Sequence, residues 1–186
     1  MMVHHSLNEM LVNDIDWFFK TLDDKPIHVA SAGGLLPKVI KKDLNCKILN
    51  RVRKIQVPIY DELIKSFDDK KLWLELLSKV DINKSSLHRV ETQQAKFRSE
   101  KEANELFAHW QEEYLVSFCS MAKCGFLSFD RMNIEDCMDN RYQWIADGTS
   151  IKINDDVKKI LPEINIGVEQ LKNENADWIE MLNNLR

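Results

Sequence analysis

The sequence predicts an α+β fold, and three stretches carry that expectation. Ser99–Gly125 holds Ala103, Leu106, Phe107, Trp110, Tyr114, Phe118 and Met121 at steps of three or four, the spacing of one buried helical face. Asp14–Leu22 and Ile27–Ala32 are short, rich in aromatic and branched residues, and separated by Asp23-Asp24-Lys25-Pro26, which is the chemistry of a turn between paired strands. Gly125–Arg131, GFLSFDR, is apolar at both odd and even positions, as expected of a central strand covered on both faces. Together they predict one α+β domain over residues 1–186. Its sheet is mostly antiparallel, with about five or six strands. The sheet packs against a long central helix, and flanking helices fall at 59–80 and 167–186.

Each end of the central helix is marked. Ser99 and Glu102 have the spacing of a capping box. Glu100, Glu102 and Glu105 crowd the end where the helix dipole favours negative charge, and Lys123 sits in the last turn. Gly125 supplies a residue free to adopt the left-handed conformation that ends a helix. At 1.5 Å per residue such a helix spans about 35 Å.

From the N-terminus, residues 1–13 predict a short amphipathic helix through Leu7, Met10 and Leu11, followed by the hairpin 14–32. Residues 48–57 alternate in part through Val52, Ile55 and Val57, which predicts a strand with a basic outer face, ended by Pro58. Tyr60, Leu63, Ile64 and Phe67 predict a short helix. A second helix, 69–80, is expected to turn Leu72, Trp73, Leu76 and Leu77 inward. Leu87–Phe97 reads as a polar edge strand. Beyond Arg131 come a loop at 132–140, a strand at Arg141–Ala146, a turn at Asp147-Gly148 and an edge strand at Thr149–Ile153. Asn154 is placed to cap a helix at Asp155–Leu161. A last helix covers Gly167–Arg186 through Val168, Leu171, Trp178, Ile179, Leu182 and Leu185.

Composition excludes several function classes. The chain is 44% apolar and 30% charged with a net charge of −4, which suits a globular protein and argues against one built mainly to hold nucleic acid. Cys46, Cys119, Cys124 and Cys137 form no CxxC pair and no zinc-ligand spacing with histidine, so no metal and no cofactor is expected. The opening MMVHHSLNEML lacks the basic and apolar regions of an export signal, and no apolar run is long enough to span a bilayer. Free cysteines and no export signal point to the cytoplasm.

Three places could carry function. In Ala30–Pro37, Gly33-Gly34 follows a strand directly, so the backbone there can approach a ligand or take a positive φ. His28 lies on that strand, out of phase with Ile27 and Val29. Asp130-Arg131 closes the apolar strand, at the kind of strand end where sites form in α/β sheets. Arg51, Arg53 and Lys54 lie in the basic run 38–54, and on a strand Arg51 and Arg53 would share a face. His88 and His109 are further candidates for a general base, but no Ser-His-Asp or Cys-His set can be assembled from chain order alone. No catalytic motif stands above background. The first expectation is therefore a non-enzymatic protein-binding or inhibitory module whose basic face meets an acidic partner. The alternative is an enzyme or ligand-binding protein with a phosphate or nucleotide site at Gly33-Gly34.

Overall fold

The computed structural model of the chain describes residues 6–66, 69–83, 114–133 and 136–185. Within them, α1 (Leu7–Val12) leads into a hairpin of β1 (Asp16–Lys20) and β2 (Pro26–Ala30). Then come α2 (Lys42–Lys65), α3 (Lys70–Leu76), the two-residue β3 (Asp81–Ile82) and a helix at 114–123, here α4. The chain continues through β4 (Leu127–Arg131), β5 (Tyr142–Asp147), and the short helices α5 (Asp155–Lys158), α6 (Val168–Leu171) and α7 (Trp178–Asn183). The expected edge strand Leu87–Phe97, the Ser99–Glu102 cap, His88, His109 and Trp110 lie outside the described residues.

The five strands form one sheet in the order β1-β2-β4-β5-β3. Three of its pairings are antiparallel, and β2 and β4 run parallel, with Ile27 opposite Leu127 and Ala30 opposite Asp130. Every residue of β2 and β4 is buried, as expected for strands covered on both faces. A bulge at Ser128/Phe129 shifts the register with β5.

Alternation along the strands divides the core into two layers. Trp17, Phe19, Ile27, Val29, Leu127, Phe129 and Tyr142 face one side, where the C-terminal segment covers them with Ile164, Ile166, Leu171, Trp178 and Leu182. On the other side α2, α3 and α4 cover the sheet. There Leu63, Leu77, Leu115, Val116, Phe118, Cys119 and Ala122 meet Ala30 and Ala146. Ile48, Val52 and Met121 complete this layer around Phe18 and Phe126. Gly125, at φ +95°, closes α4 as expected, and an added Cβ there would come within 2.9 Å of the Ile151 carbonyl oxygen.

Four local expectations are corrected. Residues 48–57 are helix, not strand, and α2 runs through Pro58 to Lys65. Its buried stripe is Asn45, Ile48, Val52, Gln56 and Leu63, a helical period whose two amides hid it from a reading of apolar residues alone. Leu72 points outward at 41% exposure, while Leu77 is buried. Thr149–Ile153 is turn and loop rather than strand, because Asp147 Oδ1 accepts from the Thr149 N–H at 2.9 Å and its hydroxyl at 2.7 Å, curling the chain away. The last helix is broken in two. Asp177 accepts from the Glu180 N–H at 2.9 Å and starts α7 afresh after the turn at 173–176.

Candidate functional site

Because β2 and β4 are parallel, their carboxyl ends emerge at the same sheet edge. The loop after β2 therefore meets the last residue of β4. Gly34 and Arg131, about a hundred residues apart in the chain, touch: a Cβ built on Gly34 would lie 1.0 Å from Arg131 Nη2. Glycine is required at 34 by that contact, and not by a left-handed φ, which belongs instead to Ala32 (46°) and Gly33 (72°).

Arg131 is fully buried, yet its Nε and Nη1 have no hydrogen-bond partner. Nη2 donates to the Tyr142 hydroxyl at 3.4 Å, and the guanidinium carbon lies 5.8 Å from that ring's centre. Burial pushes the Tyr142 phenol up, against the pull of the Arg131 charge. The nearby carboxylates make their hydrogen bonds elsewhere, although Asp139, lowered chiefly by its bond to Arg141, is lowered also by the Arg131 charge. Asp139 makes a two-pronged pair with Arg141, through Nε and Nη2 at 2.8 Å each. Asp14 Oδ1 accepts from the Ala32 N–H at 2.8 Å. Asp130 accepts from the Arg131 backbone N–H at 2.8 Å and from the Tyr114 hydroxyl at 2.5 Å. A buried guanidinium with two unsatisfied donor atoms is costly unless an anion answers it.

The loop over Arg131 is held from outside by the end of α1 and the segment that joins it to β1. Besides the Asp14–Ala32 bond, the Ile15 N–H donates to Ser31 Oγ at 2.7 Å, and the Leu36 N–H to Met10 Sδ at 3.4 Å. At the far end the Lys38 N–H donates to Asn183 Oδ1 at 2.8 Å.

The other expected residues fall into different surroundings. Asp130 and His28 point to the helical side of the sheet, away from Arg131. His28 bridges two strands: Nδ1 lies 3.2 Å from Ser128 Oγ and Nε2 3.1 Å from Asp16 Oδ1. This is a Ser–His–Asp chain, but Ser128 is 0% and His28 1% exposed, and Phe18 and Phe118 pack on the imidazole. A nucleophile needs a path for its substrate, so the chain reads as an internal tie between β1, β2 and β4. Burial raises the Asp16 carboxyl, but the hydrogen bond and charge of His28 and the charge of Arg53 outweigh it and hold Asp16 below its ordinary value.

The expected basic strand face is dismantled by α2. Arg51 and Arg53, two residues apart on a helix, point in widely different directions. Arg51 Nη1 donates to the Asp156 carbonyl at 2.8 Å. The charge of Arg53 helps to hold Asp16 low, and Lys54 lies beside Arg51 along a cleft with Asn154 and Asp156. Sequence reasoning named Gly33, Gly34 and Arg131. It missed Tyr142, Asp14 and Ser31, whose relevance depends on register and not on any local pattern.

Among the described residues, no group of three or more His, Cys, Asp or Glu is placed to hold a metal ion, and no helix is long and apolar enough to cross a membrane. No protein-family model, no curated protein and no solved structure matches the chain.

Proposed function

We propose that this protein is a non-catalytic binding protein for a small ligand bearing a phosphate or carboxylate, with Arg131 as the anion receptor beneath the Gly33-Gly34 corner. The observation that supports this reading most is the buried guanidinium with free Nε and Nη1 donors. Arginine suits the task because its planar fork matches the oxygen spacing of carboxylate and phosphate. The place suits it as well, since sheets with parallel strands commonly seat ligands outside the carboxyl ends of those strands. Gly34 lets backbone approach the guanidinium with no side chain between. A non-catalytic role is favoured because the Ser128–His28–Asp16 chain is sealed in the core.

Thermal unfolding tests the proposal. A ligand that binds only the native state stabilises it by RT ln(1 + [L]/Kd), about 2.7 kcal/mol at a hundredfold excess over Kd. Phosphate and acetate, added separately, are each compared with chloride of equal ionic strength to remove screening. At least one should raise the Tm of the wild type beyond chloride and fail to do so in Arg131→Ala. The phosphate and acetate arms also decide which oxyanion is preferred. Equal shifts in wild type and Arg131→Ala, or none beyond chloride in the wild type, would overturn the proposal.

A further inference from the structure

We infer that residues 10–15 are a gate on the Arg131 site. The oxyanion reaches the guanidinium only when the loop 31–36 swings away from this N-terminal segment. The inference rests on the binding function proposed above and adds how access to that site is controlled. Its starting point is a contradiction in the closed geometry. Arg131 carries two free donor atoms, yet none of the residue is exposed. A receptor in that state needs a movable cover, and Gly34 is the backbone directly against the guanidinium.

The cover is fastened on its outer side to one short stretch. Asp14 Oδ1 takes the Ala32 N–H at 2.8 Å, and Met10 Sδ takes the Leu36 N–H at 3.4 Å. Ser31 Oγ takes the Ile15 N–H at 2.7 Å. The Leu11 carbonyl oxygen stands 3.1 Å from where a Gly33 Cβ would be. Each fastening joins residues 10–15 to residues 31–36, so the stretch acts as a single clasp.

The covered loop is also strained when closed. Ala32 sits at φ 46°, a conformation that alanine adopts only when its surroundings impose it. Release of the clasp lets Ala32 relax, which offsets part of the lost bonding. The hairpin that anchors the loop does not have to move, since β2 remains paired to β1 and β4 up to Ala30.

The test uses the full chain and phenylglyoxal, which modifies guanidinium groups, with sites read by peptide mass mapping. Wild type, Asp14→Ala and Ser31→Ala are compared. Arg53, which is exposed, serves as the internal rate standard, and the buried Cys119 thiol, probed in parallel with a maleimide, reports global unfolding. In wild type Arg131 should react far more slowly than Arg53. In Asp14→Ala its rate should rise about tenfold, the population change that follows loss of one hydrogen bond to a charged acceptor, while Cys119 stays protected. An Arg131 rate unchanged in both variants, or rising only in step with Cys119, would overturn the gate. Repeating the Asp14→Ala reaction with phosphate or with acetate separates the two ideas. Protection of Arg131 supports both. Exposure of Arg131 that neither anion slows keeps the gate and removes the oxyanion function.

Discussion

Arg131 fills the space that any side chain at position 34 would need. Gly34→Ala is therefore expected to destabilise by about 1–3 kcal/mol, the usual cost of overpacking a filled site. In an Arg131→Ala background the same change should cost much less, because the clash partner is gone. Urea melts of the four proteins in that cycle measure the coupling, and additive costs would mean that the two residues do not compete for one space. The cysteines make a second single-residue case. Burial pushes Cys119 and Cys124 up to about 12, so neither is a thiolate at neutral pH, whereas Cys46 is exposed. A chromogenic disulfide reagent should label Cys46 quickly in the native protein and reach Cys119 and Cys124 only in denaturant. Fast native labelling of Cys119 would place it at the surface and contradict the packing of α4. At this scale the sequence showed the two glycines after a strand and the charged pair ending another. That they meet was not legible, because it depends on a parallel register between Ala30 and Asp130 set by everything between them.

In α2 a proline is carried through an intact helix, and this is where local signals misled most. Pro58 cannot donate to the carbonyl of Lys54, and its ring crowds that carbonyl. Both Lys54 and Pro58 are exposed, which leaves that carbonyl on the solvent side of the helix. The apolar residues Val52, Ile55 and Val57 mimic strand alternation, while Asn45 and Gln56 occupy buried positions of the helical stripe. Each amide is there for a bond: Asn45 Nδ2 donates to the Asp16 carbonyl at 2.8 Å, and Gln56 Nε2 to Ser120 Oγ at 2.6 Å. Tertiary hydrogen bonds of this kind leave no periodic trace in the sequence. Pro58→Ala restores the missing donor, and a helix-interior proline costs about 3 kcal/mol relative to alanine. The variant should be more stable than wild type by a sizeable part of that figure, read as a raised urea midpoint with unchanged slope. A lowered midpoint would show that the packing of Ile48, Val52 and Leu63 depends on Pro58. The hairpin and β4 were legible for the opposite reason, since their short runs of aromatic and branched residues show in the sequence itself.

The molecule as a whole is a sheet shared by two different covers, helices on one side and the C-terminal segment on the other, and its charge network ties the two edges of that arrangement to pH. Asp16 at the start of β1 is held below the ordinary carboxyl value of 3.8: burial opposes this, but His28 and Arg53 prevail. A group whose native pKa is depressed contributes stability that is complete above its unfolded value and is lost as pH falls through the native one. Asp139, lowered chiefly by its bond to Arg141, and Asp24, lowered chiefly by its bond to Lys158, act in the same direction. Asp14 acts against them. Partial desolvation of this otherwise exposed carboxylate raises it above 3.8 against the pull of the Ala32 N–H bond, so the native state takes up that proton before the unfolded chain does, and the penalty on its charged form is relieved as pH falls. Urea midpoints measured from pH 6 to pH 3 (a span of about 3 units around the ordinary carboxyl range) should separate the two carboxylates. Asp16→Asn should be less stable than wild type at pH 6, with the gap closing below 3.8. Asp14→Asn keeps an oxygen for the Ala32 N–H and should gain on wild type at pH 6, an advantage that shrinks toward acid. A pH-independent gap for Asp16→Asn would mean that His28 and Arg53 do not hold its charge. In wild type each melt should be one cooperative transition reported alike by tryptophan fluorescence and circular dichroism, because Trp17 and Trp178 pack in the layer opposite α2–α4, Trp73 packs in theirs, and both layers depend on the same strands.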